Sequence, residues 1–400
     1  MEIKKYDEVE IEILEIGEEG ICKGITKDSK EVFTRYAIPN ETVKVKIFNT
    51  SIPYGDLVEI IKPSPLRIKP ECKFFGECGG CDLQMLPYSE QLKFKKELIK
   101  KEFNEILGFN SSTLCDVIPS PKQYYYRNSV MFRVNPKMKK IGFLKRDTNI
   151  VVDIDECKIS SEGINYALKK IKNQPNFPQH TFKVRTTLQG DITVNFIETD
   201  EFEDKAVIET IRLDNTEYRF KISRESFFQV NSYVIPIWLK NIRELVTAGN
   251  YNPEMCLDLY CGSGIISIFL SDLFKKIVGI EISKTSVEDG NYNIKMNNIR
   301  NVEIIHGDVS KNLENIKLPD VIVVNPSRTG VDEKIITFIN DNYQKFRKPK
   351  KIIYSSCNYK TQARDIKLLS QSGLKLKKLV PIDMFPQTHH IEVIALIEGS

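Results

Sequence analysis

Beyond Phe227 the chain alternates short apolar runs with helical stretches, and this alternation restricts its C-terminal part to a parallel α/β sheet. Strand-like runs fall near residues 255–260, 276–281, 302–306, 320–325, 351–355, 376–382 and 391–397. Helical patterns fill every interval except the last. The spacing predicts seven strands with a helix-free final connection. At 400 residues the chain exceeds one ordinary core, so two or three domains are expected.

The N-terminal end reads differently. Apolar and polar residues alternate in Val9-Glu10-Ile11-Glu12-Ile13 and Val43-Lys44-Val45-Lys46-Ile47, with turn signals at Gly24, Pro39-Asn40 and Pro53-Tyr54-Gly55. Four or five short strands in that length predict a small OB-like barrel, a fold that commonly binds single-stranded nucleic acid. A generic β-barrel adaptor fits the same pattern. Pro63, Pro65 and Pro70 mark a linker, and Ser89 to Leu107 forms a helix with Leu92, Ile99, Phe103, Ile106 and Leu107 on one face. From Tyr124 to Ser223 the pattern is mostly β. Within it, Tyr124-Tyr125-Tyr126-Arg127-Asn128 either stacks bases and grips phosphate or ends a half-buried strand. Three domains are expected, over residues 1–64, 65–226 and 227–400, with helix 89–107 packing on the last.

Charge is nearly balanced, 58 basic against 54 acidic residues, so nucleic-acid binding would depend on local clustering of Lys and Arg. No run reaches the length of a membrane span, and Met1-Glu2-Ile3-Lys4-Lys5 carries no apolar signal. A cytoplasmic protein that makes no membrane contact is expected. In such a chain the clustered ones among the nine cysteines read as metal or catalytic groups rather than disulfides. Cys22, Cys115 and Cys256 stand alone and read as small buried hydrophobes.

Three motifs carry chemistry. The first is Asp258-Leu259-Tyr260-Cys261-Gly262-Ser263-Gly264, a glycine turn at a strand's carboxyl end, where open α/β sheets bind ligands. It is not the dinucleotide fingerprint, because Ser267 occupies the third glycine position. Glu281 ends the next strand and suits a ribose diol; Asp308 follows the third and suits an adenine amine. The second motif is Tyr354-Ser355-Ser356-Cys357-Asn358, which puts a thiol at the same sheet edge, with Glu392 opening the last strand. The third is Cys72, Cys78 and Cys81 in C-x₅-C-x₂-C spacing, with Cys157 remote. Four thiolates hold either zinc or an iron–sulfur cubane, and three close ligands with one distant suit the cubane better.

With these motifs the chain resembles the RNA uracil-C5 methyltransferases, in particular an iron–sulfur branch that modifies ribosomal RNA. The resemblance implies a class I methyltransferase sheet that binds S-adenosylmethionine. It identifies Glu31 through Val43 as part of a TRAM barrel, and it implies a 4Fe–4S cluster on Cys72, Cys78, Cys81 and Cys157. Lys158 stands where relatives carry proline. Cofactor-binding roles are implied for Gln229, Tyr260, Gly262, Gly264, Glu281, Asp308 and Asn325.

The resemblance also makes Cys357 the nucleophile that attacks uracil C6 and Glu392 the base that removes the C5 proton. Asn325 stands where relatives carry aspartate. Its Asn-Pro pair is shared with amino-group methyltransferases, but Ser327-Arg328 lacks the aromatic residue that normally follows there. The expected protein is a monomeric enzyme acting on RNA, with 23S ribosomal RNA as substrate and transfer RNA as the alternative. A reading from another class is an RNA-binding protein with an inactive methyltransferase fold, supported only by Asn325.

Overall fold

The protein's structure is a computed structural model that describes residues 3–108, 110–199, 201–249, 252–313 and 316–399. Met1, Glu2 and Ser400, at the outer ends of the expected first and third domains, lie outside the described residues, and so does the start of the segment read as lacking a signal.

Strands β1 (Glu8–Ile16), β2 (Ile21–Ile25), β3 (Glu31–Arg35), β4 (Thr42–Asn49) and β5 (Tyr54–Lys62) close into a barrel in the order β1-β2-β3-β5-β4. Period-two alternation builds it. Ile11, Ile13, Val43, Val45 and Ile47 point inward and are buried, while Glu10, Glu12 and Lys46 are exposed. Closure leaves no strand edge unpaired.

Helix α1 (Tyr88–Leu107) follows the linker. Its buried face is Gln91, Lys95, Ile99 and Phe103. Leu92, Ile106 and Leu107, expected on that face, are only partly covered, while two polar residues are enclosed. Ile99 and Phe103 lie in the core beneath the large C-terminal sheet.

Strands β6 (Ser129–Asn135), β7 (Lys140–Leu144), β8 (Val151–Asp153), β9 (Phe182–Thr186) and β10 (Ile192–Asn195) form an antiparallel sheet in the order β10-β9-β6-β7-β8. Helix α2 (Glu162–Asn173) packs on it through Ile164, Ala167, Leu168 and Ile171. This helix interrupts a region read as mostly β, and Ser161 caps it by accepting from the Ile164 N–H. The hairpin β11 (Val207–Leu213) and β12 (Thr216–Ile222) shares its core with α3 (Ile235–Thr247), through Ile211, Phe220 and Trp238.

The large sheet contains β13 (Met255–Leu259), β14 (Lys276–Glu281), β15 (Val302–His306), β16 (Val321–Val324), β17 (Lys351–Ser356), β18 (Leu374–Ile382) and β19 (Glu392–Gly399). Their order is β15-β14-β13-β16-β17-β19-β18, parallel up to β17, with β19 antiparallel to both of its neighbours. Helices α4 (Ile265–Phe269), α5 (Lys284–Met296), α6 (Val309–Asn312), α7 (Glu333–Phe346) and α8 (Tyr359–Ser370) fill the crossovers, and no helix joins β18 to β19. Every residue of β13, β16 and β17 is buried; β16 is accordingly an unbroken apolar run, while β13 and β17 enclose Asp258, Lys351, Ser355 and Ser356 among their apolar residues. Strand order reverses between β13 and β16, which opens a crevice at their carboxyl ends. Among the described residues no helix is long and apolar enough to cross a membrane.

Candidate active site

Strands β17 and β19 run antiparallel with Ser356 opposite Val393, so the next residues out, Cys357 and Glu392, leave the pairing side by side. Cys357 is half-buried and unpaired. Burial raises its thiol pKa, the Glu392 charge adds to the rise, and the Arg328 guanidinium opposes it. Asn358 follows as the cap of α8 and also donates from Nδ2 to the Arg328 carbonyl at 2.8 Å, which ties that loop beside the thiol. Glu392 is 2% exposed, and burial pushes its carboxyl up to about 7. A side chain in that range exchanges protons near neutrality.

Ser355, given no role in its motif, holds Glu392 directly, and Trp238, outside the motifs, holds Ser355. Ser355 donates to Glu392 Oε1 at 2.5 Å, and Trp238 Nε1 donates to Ser355 Oγ at 2.8 Å. The Ser355 bond lowers the Glu392 pKa against the larger effect of burial.

Tyr260, Glu281, Asp308 and Asn325 lie at or just beyond the carboxyl ends of β13, β14, β15 and β16, on one sheet edge. Gly262 and Gly264 take φ values of 56° and 79°, and a Cβ built on Gly262 would meet nothing within 4 Å. Glu281 accepts from the Gly262 N–H at 3.0 Å and from the Ser283 N–H at 2.7 Å. Asp308 caps α6 through Oδ1, accepting from Ser310 N at 2.8 Å, and this pairing with Ser310 lowers its pKa. Ser267, which broke the dinucleotide pattern, donates to the buried Asp258 at 2.6 Å; burial pushes that carboxyl up to about 7.

Gln229 lies apart from those strand ends, in the turn before α3, and its carbonyl accepts from Asn128 Nδ2 at 3.0 Å. That turn is held to the glycine loop through α5. Asp289 accepts from Ser226 Oγ at 2.5 Å, and Asn293 donates to the Ser263 carbonyl at 3.2 Å. Neither α5 residue carries a local signal in the sequence. Tyr126 is 1% exposed and donates to the Pro386 carbonyl at 2.9 Å, so it braces this junction and is closed to base stacking.

Cys72, Cys78, Cys81 and Cys157 line one cavity of about 370 Å³, with Phe74, Phe143 and Ile154 among its apolar walls. All four are free thiols. Burial pushes Cys78 up to about 12 and raises Cys72 and Cys81, and the charge of Cys157 adds to the rise at each of the three. Gln84 accepts from the Cys72 N–H at 3.1 Å, and Asn165 accepts from the Cys157 N–H at 2.8 Å. Among the described residues no three His, Cys, Asp or Glu side chains are grouped to hold a metal ion.

A family model described as tRNA (uracil-5-)-methyltransferase matches residues 198–399. An uncharacterized RNA methyltransferase from Clostridium acetobutylicum is 32% identical to the chain, over 99% of this chain and 98% of that protein. A tRNA (uracil(54)-C(5))-methyltransferase from Schizosaccharomyces pombe is also 32% identical, over 98% of this chain and 78% of that one. The Pyrococcus abyssi tRNA (uracil-54, C5)-methyltransferase, solved in complex with S-adenosyl-L-homocysteine, has the same fold, with a TM-score of 0.74 at 24% identity over 97% of this chain and 100% of that one. The chain belongs to the tRNA (uracil-5-)-methyltransferase family and is an RNA uracil-C5 methyltransferase built on the class I sheet.

Proposed function

We propose that the protein methylates C5 of a uridine in RNA through a covalent bond between Cys357 and uracil C6. One observation carries this reading: a thiol and an enclosed carboxyl of pKa about 7 emerge side by side from β17 and β19. Attack by the Cys357 thiolate on C6 moves electron density to C5. This divides one difficult alkylation into easier steps. C5 then takes the methyl group, whose bond to the donor's sulfonium sulfur breaks and leaves a neutral thioether; Glu392 removes the C5 proton, the C5–C6 double bond reforms, and the thiolate leaves. Glu392→Gln keeps the shape but cannot accept that proton. Turnover is expected to fall about 10²–10⁴-fold, with a methylated RNA–protein adduct accumulating. Denaturing gels with methyl-labelled cofactor would reveal the adduct; normal turnover would remove Glu392 from the role.

S-adenosylmethionine is the proposed methyl donor, and it supplies an electrophilic methyl group. Gln229, Tyr260, Gly262, Gly264, Glu281, Asp308 and Asn325 would hold it. The open space beside Gly262 and the row of polar side chains at the strand ends suit that ligand.

A 4Fe–4S cluster is proposed on Cys72, Cys78, Cys81 and Cys157. Their convergence on one apolar-walled cavity fits it, because each thiolate binds its own iron and the four need not meet at one point. Such a cluster would supply a cross-link between the 72–81 loop and Cys157, since methyl transfer consumes no electron.

The proposed division of labour gives RNA binding to the barrel, cluster binding to the central region and chemistry to the large sheet. Large-subunit ribosomal RNA is the proposed substrate, on the cysteine motif shared with that branch. Transfer RNA is the second reading, favoured by the relative named for uracil 54. Mapping 5-methyluridine in both RNAs from cells lacking the protein separates the two.

A further inference from the structure

The loop between β18 and β19 carries two adjacent histidines, His389 and His390, with Ile391 between them and Glu392, and both rings are engaged. Asp82, next to Cys81, is 2% exposed. Its Oδ2 lies 2.7 Å from His389 Nδ1 and accepts from the His389 N–H at 3.3 Å. Asp82 Oδ1 pairs with Arg146, and its own N–H donates to the Gln387 carbonyl at 3.0 Å. This carboxyl already pairs with Arg146 and accepts from the His389 N–H, so it is the acceptor for the ring as well and His389 Nδ1 carries the proton.

The His389 ring lies 4.0 Å from that of His390, centroid to centroid, and Phe385 packs edge-on against His390 at 5.9 Å. His390 Nε2 is 3.4 Å from Arg328 Nη2. Guanidinium has no acceptor, so His390 must be neutral, protonated on Nδ1, and accepting from Arg328 through Nε2. Burial, together with the charges of His389 and Arg328, pushes His390 down to about 3, in agreement with a neutral ring. Arg328 is held beside the thiol by Asn358, whose Nδ2 donates to its carbonyl at 2.8 Å, and its guanidinium lowers the Cys357 pKa by charge and by a hydrogen bond.

We propose that His390 is a positioning residue that aims Arg328 at Cys357, and that Asp82 fixes His390 through His389. The cysteine-bearing loop thereby braces the nucleophile it never touches. The role for Arg328 rests on the reading of Cys357 as nucleophile, but its effect on the thiol can be measured without turnover. Arg328, from the loop after β16, and Glu392, on β19, are the charged groups facing that thiol, and they act in opposite directions. Releasing Arg328 leaves Glu392 unopposed.

The experiment follows alkylation of Cys357 by iodoacetamide against pH, read on the Cys357 peptide by mass spectrometry. In His390→Ala the midpoint is expected to rise by about 1 pH unit, the lower end of what one nearby opposite charge contributes. Below the midpoint that rise means about tenfold less thiolate, and adduct formation with 5-fluorouridine RNA at neutral pH should slow by the same factor. His390→Gln, whose carbonyl can accept from Arg328, should restore most of the loss. Asp82→Asn should move the midpoint in the same direction by less.

An unmoved midpoint in His390→Ala, with activity reduced or not, would overturn the proposal; an unmoved midpoint in Asp82→Asn would overturn the link through His389. The nucleophile reading fails separately, if Cys357→Ala still methylates RNA.

Discussion

At the scale of single residues, the proposed route makes the pKa of Glu392 govern the last chemical step. Its carboxyl must be ionised to accept the C5 proton, so release of methylated RNA from the adduct should rise with pH through about 7. Ser355 is the lever on that value. Its hydroxyl donates to the carboxylate and lowers the pKa, so Ser355→Ala should move the acid limb of adduct release upward. A hydrogen bond to a charged group is worth about 1.5–3 kcal/mol, which corresponds to a shift of about 1 pH unit or more. Single-turnover release measured between pH 6 and 9 checks this; a limb that stays near 7 would mean Ser355 merely fills space. Trp238 holds the Ser355 oxygen in turn, so the chain's single tryptophan doubles as a fluorescence reporter on the base.

At the scale of elements, α1 and the β18–β19 connection form one clamp. Lys95 Nζ donates to Asp383 Oδ1 at 2.6 Å and to the Phe385 carbonyl at 3.1 Å, and both charged side chains are fully enclosed. Gln91 and Gln387 exchange two hydrogen bonds, at 2.9 and 3.1 Å. The connection leads straight into Glu392, so the clamp sets where that residue enters β19. Lys95→Met should cost about 3–5 kcal/mol in denaturant unfolding, because it leaves Asp383 charged, buried and unpaired. Adding Asp383→Asn should return part of that loss; if the double variant is no more stable than the single, the pair carries no coupling.

The same elements mark the limit of what the sequence reveals. The seven strands of the large sheet were legible because buried strands leave apolar-rich runs, set between helices for β13 to β17, and the strand-end positions of Glu281, Asp308, Cys357 and Glu392 were legible because those runs mark strand ends. Gln91 and Lys95 were not among the residues placed on the buried face of helix 89–107, since their enclosure depends on partners almost three hundred positions away. Ser355, Trp238, Asp289 and Asn293 escaped for the same reason: only the folded chain gives them their partners.

At the scale of the whole molecule, the barrel, the central sheet and the catalytic sheet converge on the active-site edge. Gly20 of the barrel, at φ +72°, packs so closely on Asp82 that a Cβ would lie 2.9 Å from the Asp82 Cβ. Glu18 beside it pairs with Lys360, three residues beyond Cys357. Anaerobically purified protein is expected to carry about four iron and four sulfide per chain if the cysteine cavity holds a cubane. Cys78→Ala should lose the iron and destabilise the central sheet, whereas stoichiometric zinc in active, colourless protein would contradict the cluster. The central claim is a covalent route through Cys357, and one measurement reaches it directly. Protein, S-adenosylmethionine and RNA bearing 5-fluorouridine are mixed, denatured and digested, and the attachment point is mapped by mass spectrometry. Fluorine cannot leave as a cation, so the account predicts a stable methylated adduct on Cys357 that is absent from Cys357→Ala. Methylation of ordinary RNA by Cys357→Ala, or an adduct mapped to another residue, would contradict it.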